Sequence, residues 1–466
     1  MPTYKEILQE NSELRQQVTE QKRLIEKQER RIAQLEKIIE ELRRRGKRQA
    51  GPFAKGEPKS DPQTPGRKPG ERYGKRACRP VPEQVDETIE VGCPLACDLC
   101  NGPVRLAGED HQYQIDLPEI RPQTTEFVLQ VGECTQCGHR MKGRHPRQTS
   151  EAVGPAGVQI GPGVISMATY LNKVGGLSYG KIAALFEQVA DLKVERSTLC
   201  RALARAASKT QPIYQELVET IRASPVVYPD ESGWRVGGFS AWLWAFTNLR
   251  ETVYSIEQGR GFAEASKILG KAYAGTLVAD GWAAYRCFDK AQHQTCLAHL
   301  LRRCGEMLET AQGGAVRFPR RVKEILLAAL AVRDRREAQT LSPQGVRRAK
   351  GFLAAQMDRL LSGNFTHEGN RRLAKHLRRY REALFLFLDR DDLEATNWPA
   401  EHAIRPAVVN RKSCAGNRTR RGAEAQAILM SLLRTFQLRG LNSISTFKGI
   451  LRNSKTPSYS DLLEPH

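Results

Sequence analysis

Two short apolar runs, Val226-Val-Tyr-Pro and Thr276-Leu-Val-Ala, each lead straight into an aspartate, Asp230 and Asp280. Runs of this length, rich in β-branched and aromatic residues, read as buried strands. Ala241-Trp-Leu-Trp-Ala-Phe-Thr and Thr252-Val-Tyr-Ser-Ile, lying between them, supply their neighbours in a sheet. An aspartate just past the end of a buried strand projects into the crevice where α/β sheets gather their functional groups. Two carboxylates held there repel each other unless cations bridge them, and hard oxygen donors suit a pair of Mg2+ or Mn2+ ions. Such a pair needs a third acid from a rigid element. Asn397-Trp-Pro-Ala-Glu401 offers one: Pro399 suits a first helical turn, which puts Glu401 at a helix start with Arg405 one turn on. The residues by themselves leave Glu394, Asp389, Asp391 and Asp392 as alternatives, and Glu231 as a rival ligand beside Asp230.

The chain has 466 residues, and its 73 Lys and Arg outnumber 52 Asp and Glu, a formal charge of +21 that calls for a polyanionic partner. No apolar stretch is long enough to span a membrane and the first residues lack a signal-peptide core, so a soluble, cytoplasmic protein is expected. Before Gly46 apolar residues recur in heptads, with Asn11, Val18, Ile25, Ile32 and Ile39 at a positions and Leu14, Leu35 and Leu42 at d positions. That pattern favours a parallel two-stranded coiled coil, hence at least a homodimer. Residues 46–82 turn to Pro, Gly and clustered Arg and Lys, a linker whose charges suit phosphates.

Cys97-Asp-Leu-Cys100 and Cys134-Thr-Gln-Cys137 have the spacing of paired thiolates on one structural Zn2+, with Cys93 as an alternative ligand. Residues 112–117 and 125–131 alternate or run β-branched and are the expected strands of a zinc ribbon. Helical patterns follow, in which Ser197 or Thr198 is placed to cap a second helix carrying Arg201 and Arg205 on one face, compatible with a helix-turn-helix. Further on, His299 with Arg302 and Arg303 suits the active site or a phosphate. Arg411, Lys412, Arg418, Arg420 and Arg421 form a basic loop fit to hold DNA backbones.

Several motifs together make the chain resemble, over most of its length, the DDE transposases of bacterial insertion sequences, in particular the sixty-six type. They are Asp230-Glu-Ser, Ala279-Asp280-Gly-Trp-Ala-Ala-Tyr285, Cys296-Leu-Ala-His299-Leu-Leu-Arg302-Arg303, Asn397-Trp-Pro-Ala-Glu401, and Arg411-Lys412-Ser followed by Arg421-Gly422-Ala-Glu. Trp398 stands where that family usually has a second Asn. The resemblance implies a multidomain α/β chain whose RNase H-like catalytic core holds two Mg2+ (or Mn2+) ions on Asp230, Asp280 and Glu401, with a mostly helical insertion before the Glu. It implies cleavage and strand transfer of double-stranded DNA at element ends and target, near the nucleoid, by a multimer aided by small accessory proteins of the same element. The expected organisation is a coiled coil over 1–45, the linker 46–82, a zinc-ribbon-like domain 83–147 and a helix-turn-helix-like region 148–212. After these come core parts at 213–315 and 394–450 around an insertion at 316–393, and a tail at 451–466. A non-catalytic DNA-binding regulator and an RNase H-like nuclease without strand joining are the competing readings.

Overall fold

The computed structural model describes residues 79–310 and 312–463, with isolated positions between 18 and 35; most of the heptad seam and the basic linker up to residue 78 lie outside the described residues. Of the seam, Val18, Ile25, Ile32 and Leu35 are helical and exposed in the single chain. Residues up to Asp116 and from Leu117 onward form two units.

The described end of the first unit is mostly irregular and turns tightly at its cysteine pair. Asn101, left-handed at φ 57, donates its N–H to Cys97 O at 2.9 Å, and Cys97 donates its own to Gly102 O at 2.9 Å. The second unit opens with the same device between β1 (Val131–Glu133) and β2 (Arg140–Lys142), an antiparallel hairpin. There Gly138, at φ 68, donates to Cys134 O at 2.8 Å. The ribbon strands expected at 112–117 and 125–131 do not form: only Val131 of those residues pairs, in β1. Strand propensity expresses fit to a half-buried pleated surface, and here Ile115, Leu117 and Val128 are 74%, 83% and 86% exposed, with nothing to pack against.

Three helices follow, α1 (Pro162–Lys173), α2 (Tyr179–Ala190) and α3 (Arg196–Ala223). Ser178 caps α2 by accepting the Lys181 N–H, and left-handed Asp191 ends it. The N-cap of α3 is Glu195, so Ser197 and Thr198, expected as caps, lie inside the first turn. Nor is α3 a short recognition helix. An apolar stripe from Leu199 to Ile221 runs along its 28 residues and packs into the core, so the boundary expected at residue 212 falls within it.

The core sheet comprises β3 (Val226–Val236), β4 (Phe239–Thr247), β5 (Thr252–Glu257), β6 (Thr276–Ala279) and β7 (Gln292–Thr295), in the order β5-β4-β3-β6-β7. The first three strands form an antiparallel meander; β6 and β7 continue the sheet parallel to β3, with α4 (Phe262–Leu269) in the crossover. Beyond β7 come α5 (Leu297–Thr310), α6 (Arg317–Glu337), α7 (Pro343–Leu361) and α8 (Glu368–Arg379), then α9 (Trp398–Cys414), α10 (Arg420–Leu438) and α11 (Ser443–Arg452).

Strand alternation divides the core. Val227, Trp244 and Leu277 face α3, α4, α10 and α11. On the opposite face Val226, Tyr228 and Val278 pack with α5 to α8, whereas Trp234, Leu243 and Ala245 pack with Ala403, Ile404 and Ala407 of α9. Between these two clusters the face has a seam, and Asp230 lies in it. Both sheet edges are covered. Ser431 Oγ and Thr435 Oγ1 of α10 accept the N–H groups of Tyr254 (2.8 Å) and Thr252 (3.1 Å) on β5. Beside β7, Gln294 accepts the Phe387 N–H (3.0 Å) and donates to Leu384 O (3.3 Å).

Candidate active site

Asp230 is not past a strand end but inside β3, which runs on to Val236 because β4 keeps pairing with it beyond the point where β6 stops. The parallel register sets Val226 opposite Thr276 and Val227 opposite Leu277. Carried forward, it brings Asp230 level with Asp280, the first residue after β6, on the face that holds Tyr228 and Val278. Glu401 enters from the first turn of α9.

Four hydrogen bonds clasp the segments that carry these acids. Asn397, 2% exposed, donates Nδ2 to Pro229 O at 2.8 Å and its N–H to Cys296 Sγ at 3.1 Å. Cys296 donates its N–H to Ala279 O at 2.8 Å, and Leu297 to Ala395 O at 3.0 Å. Each clasp thus lies within a few residues of Asp230, Asp280 or Glu401. Cys296 is fully buried, which pushes its thiol up, so it serves as a joint. His299 Nδ1 lies 3.1 Å from that sulfur, and Nε2 lies 3.9 Å from Glu401 Oε1. Arg302 Nη2 reaches the same oxygen at 3.9 Å.

The three acids share one electrostatic neighbourhood. Asp230 is pushed up to about 7, first by burial, then by the charge of Glu231, with further contributions from Asp280 and Glu401 against a hydrogen bond from the Glu231 N–H. Among the described residues no three His, Cys, Asp or Glu side chains converge as a finished metal cage. Asp230 and Asp280 each accept a nearby backbone N–H, from Glu231 and Trp282, both at 2.9 Å.

Glu231, the rival ligand, points to the opposite face. Its Oε1 accepts Arg260 Nε (2.9 Å) and Nη2 (2.6 Å), its Oε2 accepts the Tyr285 hydroxyl, and Arg260 lies over the rings of Trp242 and Trp282, at 4.6 and 3.8 Å from their centroids. Both its oxygens are engaged by this brace.

The insertion reaches the site through residues that sequence reasoning missed. Gly281 has φ 91, and a Cβ there would sit 3.0 Å from His376 Cε1; Tyr380 donates its hydroxyl to Gly281 O at 2.8 Å. His376 is pushed down to about 4 by burial, then by Arg303, Arg286 and Arg379, and is neutral at pH 7. Nothing local in the chain marks Asn397, His376 or Tyr380 for these tasks.

Of the expected DNA contacts, Arg201 and Arg205 lie on the exposed side of α3, Arg302 is exposed near Glu401, and Arg303 is half-buried. Lys412, Arg418 and Arg421 are exposed. The expected basic loop is largely helix ends, with Arg411 and Lys412 in α9 and Arg420 and Arg421 in α10; the short loop that carries Arg418 is tied to β3 by Asn417, which donates its N–H to Arg235 O (2.9 Å) and accepts Trp234 Nε1 (2.8 Å). Arg411 departs from expectation: its Nη1 donates to Ser232 Oγ (3.0 Å) and to Gly233 O, which makes it a tie between α9 and β3. The cysteine pairs lie in separate units, and in each the first thiol is held below its ordinary value, Cys97 by the N–H groups of Cys100 and Leu99, Cys134 by those of Cys137 and Gln136.

Fold and site together define an α/β protein in which carboxylates from one strand, from the residue just past its parallel neighbour and from the first turn of a helix share one electrostatic neighbourhood. Residues 157–425 match the Transposase IS66 family, and the chain belongs to that family. It is also similar to two proteins of Sinorhizobium fredii (strain NBRC 101917 / NGR234). One is the uncharacterized protein y4jD, 21% identical over 76% of this chain and 74% of the relative. The other is the uncharacterized protein y4qI, 23% identical over 54% of this chain and 52% of the relative, so the alignment spans about half of y4qI. Among the described residues no helix is long and apolar enough to cross a membrane.

Proposed function

We propose that the chain cleaves and rejoins DNA at the ends of its own mobile element, with Asp230, Asp280 and Glu401 as the catalytic acids of an RNase H-like core. The observation that carries this reading is the parallel register of β3 and β6, which carried forward brings Asp230 level with Asp280 just past β6, with the charges of Asp280 and Glu401 both felt at Asp230. The strand order, a three-stranded meander extended by two parallel strands, agrees with an RNase H-like core. Three oxygen donors of like charge, with Asp230 half-buried and Asp280 and Glu401 open to solvent, suit hard divalent cations, and two Mg2+ or Mn2+ ions, when bound, would activate a water or a 3′-hydroxyl and stabilise the leaving oxygen. The protein does the rest. Asn397 and Cys296 hold the acid-bearing segments in register, while Arg302, beside Glu401, is placed to meet a phosphate and orient the strand.

The cysteine turns fit a structural role. Left-handed residues after the second cysteine, and N–H groups aimed at the first sulfur, favour thiolates in each pair, the form in which cysteine ligates zinc. Elemental analysis is expected to find one zinc per chain, with Cys134→Ser lowering it. Assembly through the heptad segment and help from the element's small proteins complete the proposal.

The deciding experiment is a plasmid mobility assay with the element's other proteins supplied, comparing the natural chain with Asp280→Asn. The natural chain is expected to move the element; the variant is expected to bind its ends without moving it. A variant that moves DNA as well as its parent overturns the active site, and ends cut but never joined would mark a nuclease.

A further inference from the structure

We propose that a cavity in the helical insertion holds one unstacked nucleotide of the DNA strand that reaches the acids, a step that rests on the DNA-joining function proposed above. The cavity measures about 740 Å3 and is lined by Arg317, Phe318, Arg320, Arg321, Phe365 and Asn370, among others. Its volume is that of a site for a small organic group.

Asn370, 5% exposed near the start of α8, donates Nδ2 to Ala315 O at 2.9 Å, which fixes the direction of its amide. Its Oδ1 is buried without any partner. A buried acceptor left unmet is costly, so an occupant offering an N–H would gain a counterpart once the Asn370 side chain, whose Oδ1 is now closed off from solvent, shifts to meet it. Every DNA base carries such a donor on its pairing edge, and that edge is free only when the base has left the duplex. Phe365, half-buried, packs on Phe318 with ring centroids 4.1 Å apart and presents an aromatic surface of the kind on which single bases stack. The rim is cationic. Arg317 and Arg320 are exposed and make no ion pair with any described residue, while Arg321 is paired with Glu324 at 2.8 Å. An aromatic cavity with one unmet acceptor and a rim of free guanidinium groups matches a base attached to its phosphate.

The location agrees. Asn370 lies six positions before His376 on α8, and His376 packs against Gly281, next to Asp280. At 1.5 Å of rise per residue the separation along the helix is about 9 Å. That is roughly the length of three nucleotides at 3.4 Å each. A strand with a phosphate at the acids therefore brings a near neighbour to the cavity, where unstacking would fix its register.

The test uses the full chain carrying Asp280→Asn, so that no cutting intrudes. Its affinity for a fully paired duplex is compared with that for the same duplex bearing a single unpaired 2-aminopurine. The unpaired probe is expected to bind about tenfold more tightly, the effect of one base stacked on an aromatic ring. Asn370→Leu, and separately Arg317→Gln with Arg320→Gln, should bring that ratio to within about twofold. The two arginines are exposed, so the double substitution spares the fold and decides the matter should the Asn370 variant not fold. Equal affinity for both duplexes, or a preference that survives the arginine substitutions, overturns the proposal. Failure of the wider reading would appear elsewhere, as a natural chain that never cleaves DNA with Mg2+.

Discussion

At the scale of single residues, Asp230 sets the balance between stability and function. An aspartate in an unfolded chain ionises near 3.9, whereas burial and neighbouring charges push Asp230 up to about 7. The folded chain therefore binds this proton more tightly than the unfolded one. The stability so gained is full below about pH 4 and is lost as pH rises towards 7. In the presence of a chelator, the melting temperature should fall across that window. Asp230→Asn, which keeps the shape and removes the charge, should flatten the fall and melt higher than the natural chain at pH 7.5. The same variant should lose at least about a hundredfold in strand cleavage, and Mn2+ should raise the melting temperature of the natural chain far more than that of the variant. Calorimetry across pH checks this; a variant that melts lower at pH 7.5 would remove Asp230 from the set of repelling acids.

At the scale of elements, the sheet depends on helices that finish its edges. The β5 amides that would face a further strand are met by Ser431 and Thr435 of α10, and Thr435 also donates to Thr252 O. Thr435→Val is nearly isosteric and leaves the buried Thr252 N–H without an acceptor, so denaturant titration should show a loss of about 1–3 kcal/mol with the slope unchanged. No loss would mean that another group meets that N–H. The apolar pattern of α10 was readable from its own residues, but its hydroxyls as edge partners were not, since they act on residues 177 and 183 positions away. The acids divide in the same way. Asp230 and Asp280 follow apolar runs whose strand character is local, whereas Glu401 had nearby rivals and was singled out only through the motif around it. The clasp from Asn397 to Pro229 spans 168 positions and leaves no local trace. Conversely, residues 112–117 have the composition of a strand but lack the partner that would make them one.

At the scale of the whole molecule, the +21 charge acts through where the cations are available. Arg418 is exposed on a loop tied to β3 and Arg421 is exposed in the first turn of α10, whereas Arg411, a few residues earlier, is held by Ser232 and Gly233. Each cation that meets a phosphate releases counterions and adds about 0.9 to the slope of log affinity against log salt. Replacing Arg418 and Arg421 by Gln should make that slope shallower by about 2 and weaken duplex binding at moderate salt. The cleavage rate at saturating DNA should stay unchanged, because neither side chain belongs to the acid site. Arg411→Gln should do the reverse: the slope stays, while the melting temperature falls with the loss of the tie between α9 and β3. Filter-binding titrations at several salt concentrations, with melting curves for each variant, separate the two behaviours. An unchanged slope in the double variant would show that DNA runs elsewhere, and a shallower slope in Arg411→Gln would return that residue to the phosphate contacts. Since counterion release depends on phosphates and not on bases, both effects should be the same on any duplex, whereas discrimination among sequences must come from groups that reach base edges.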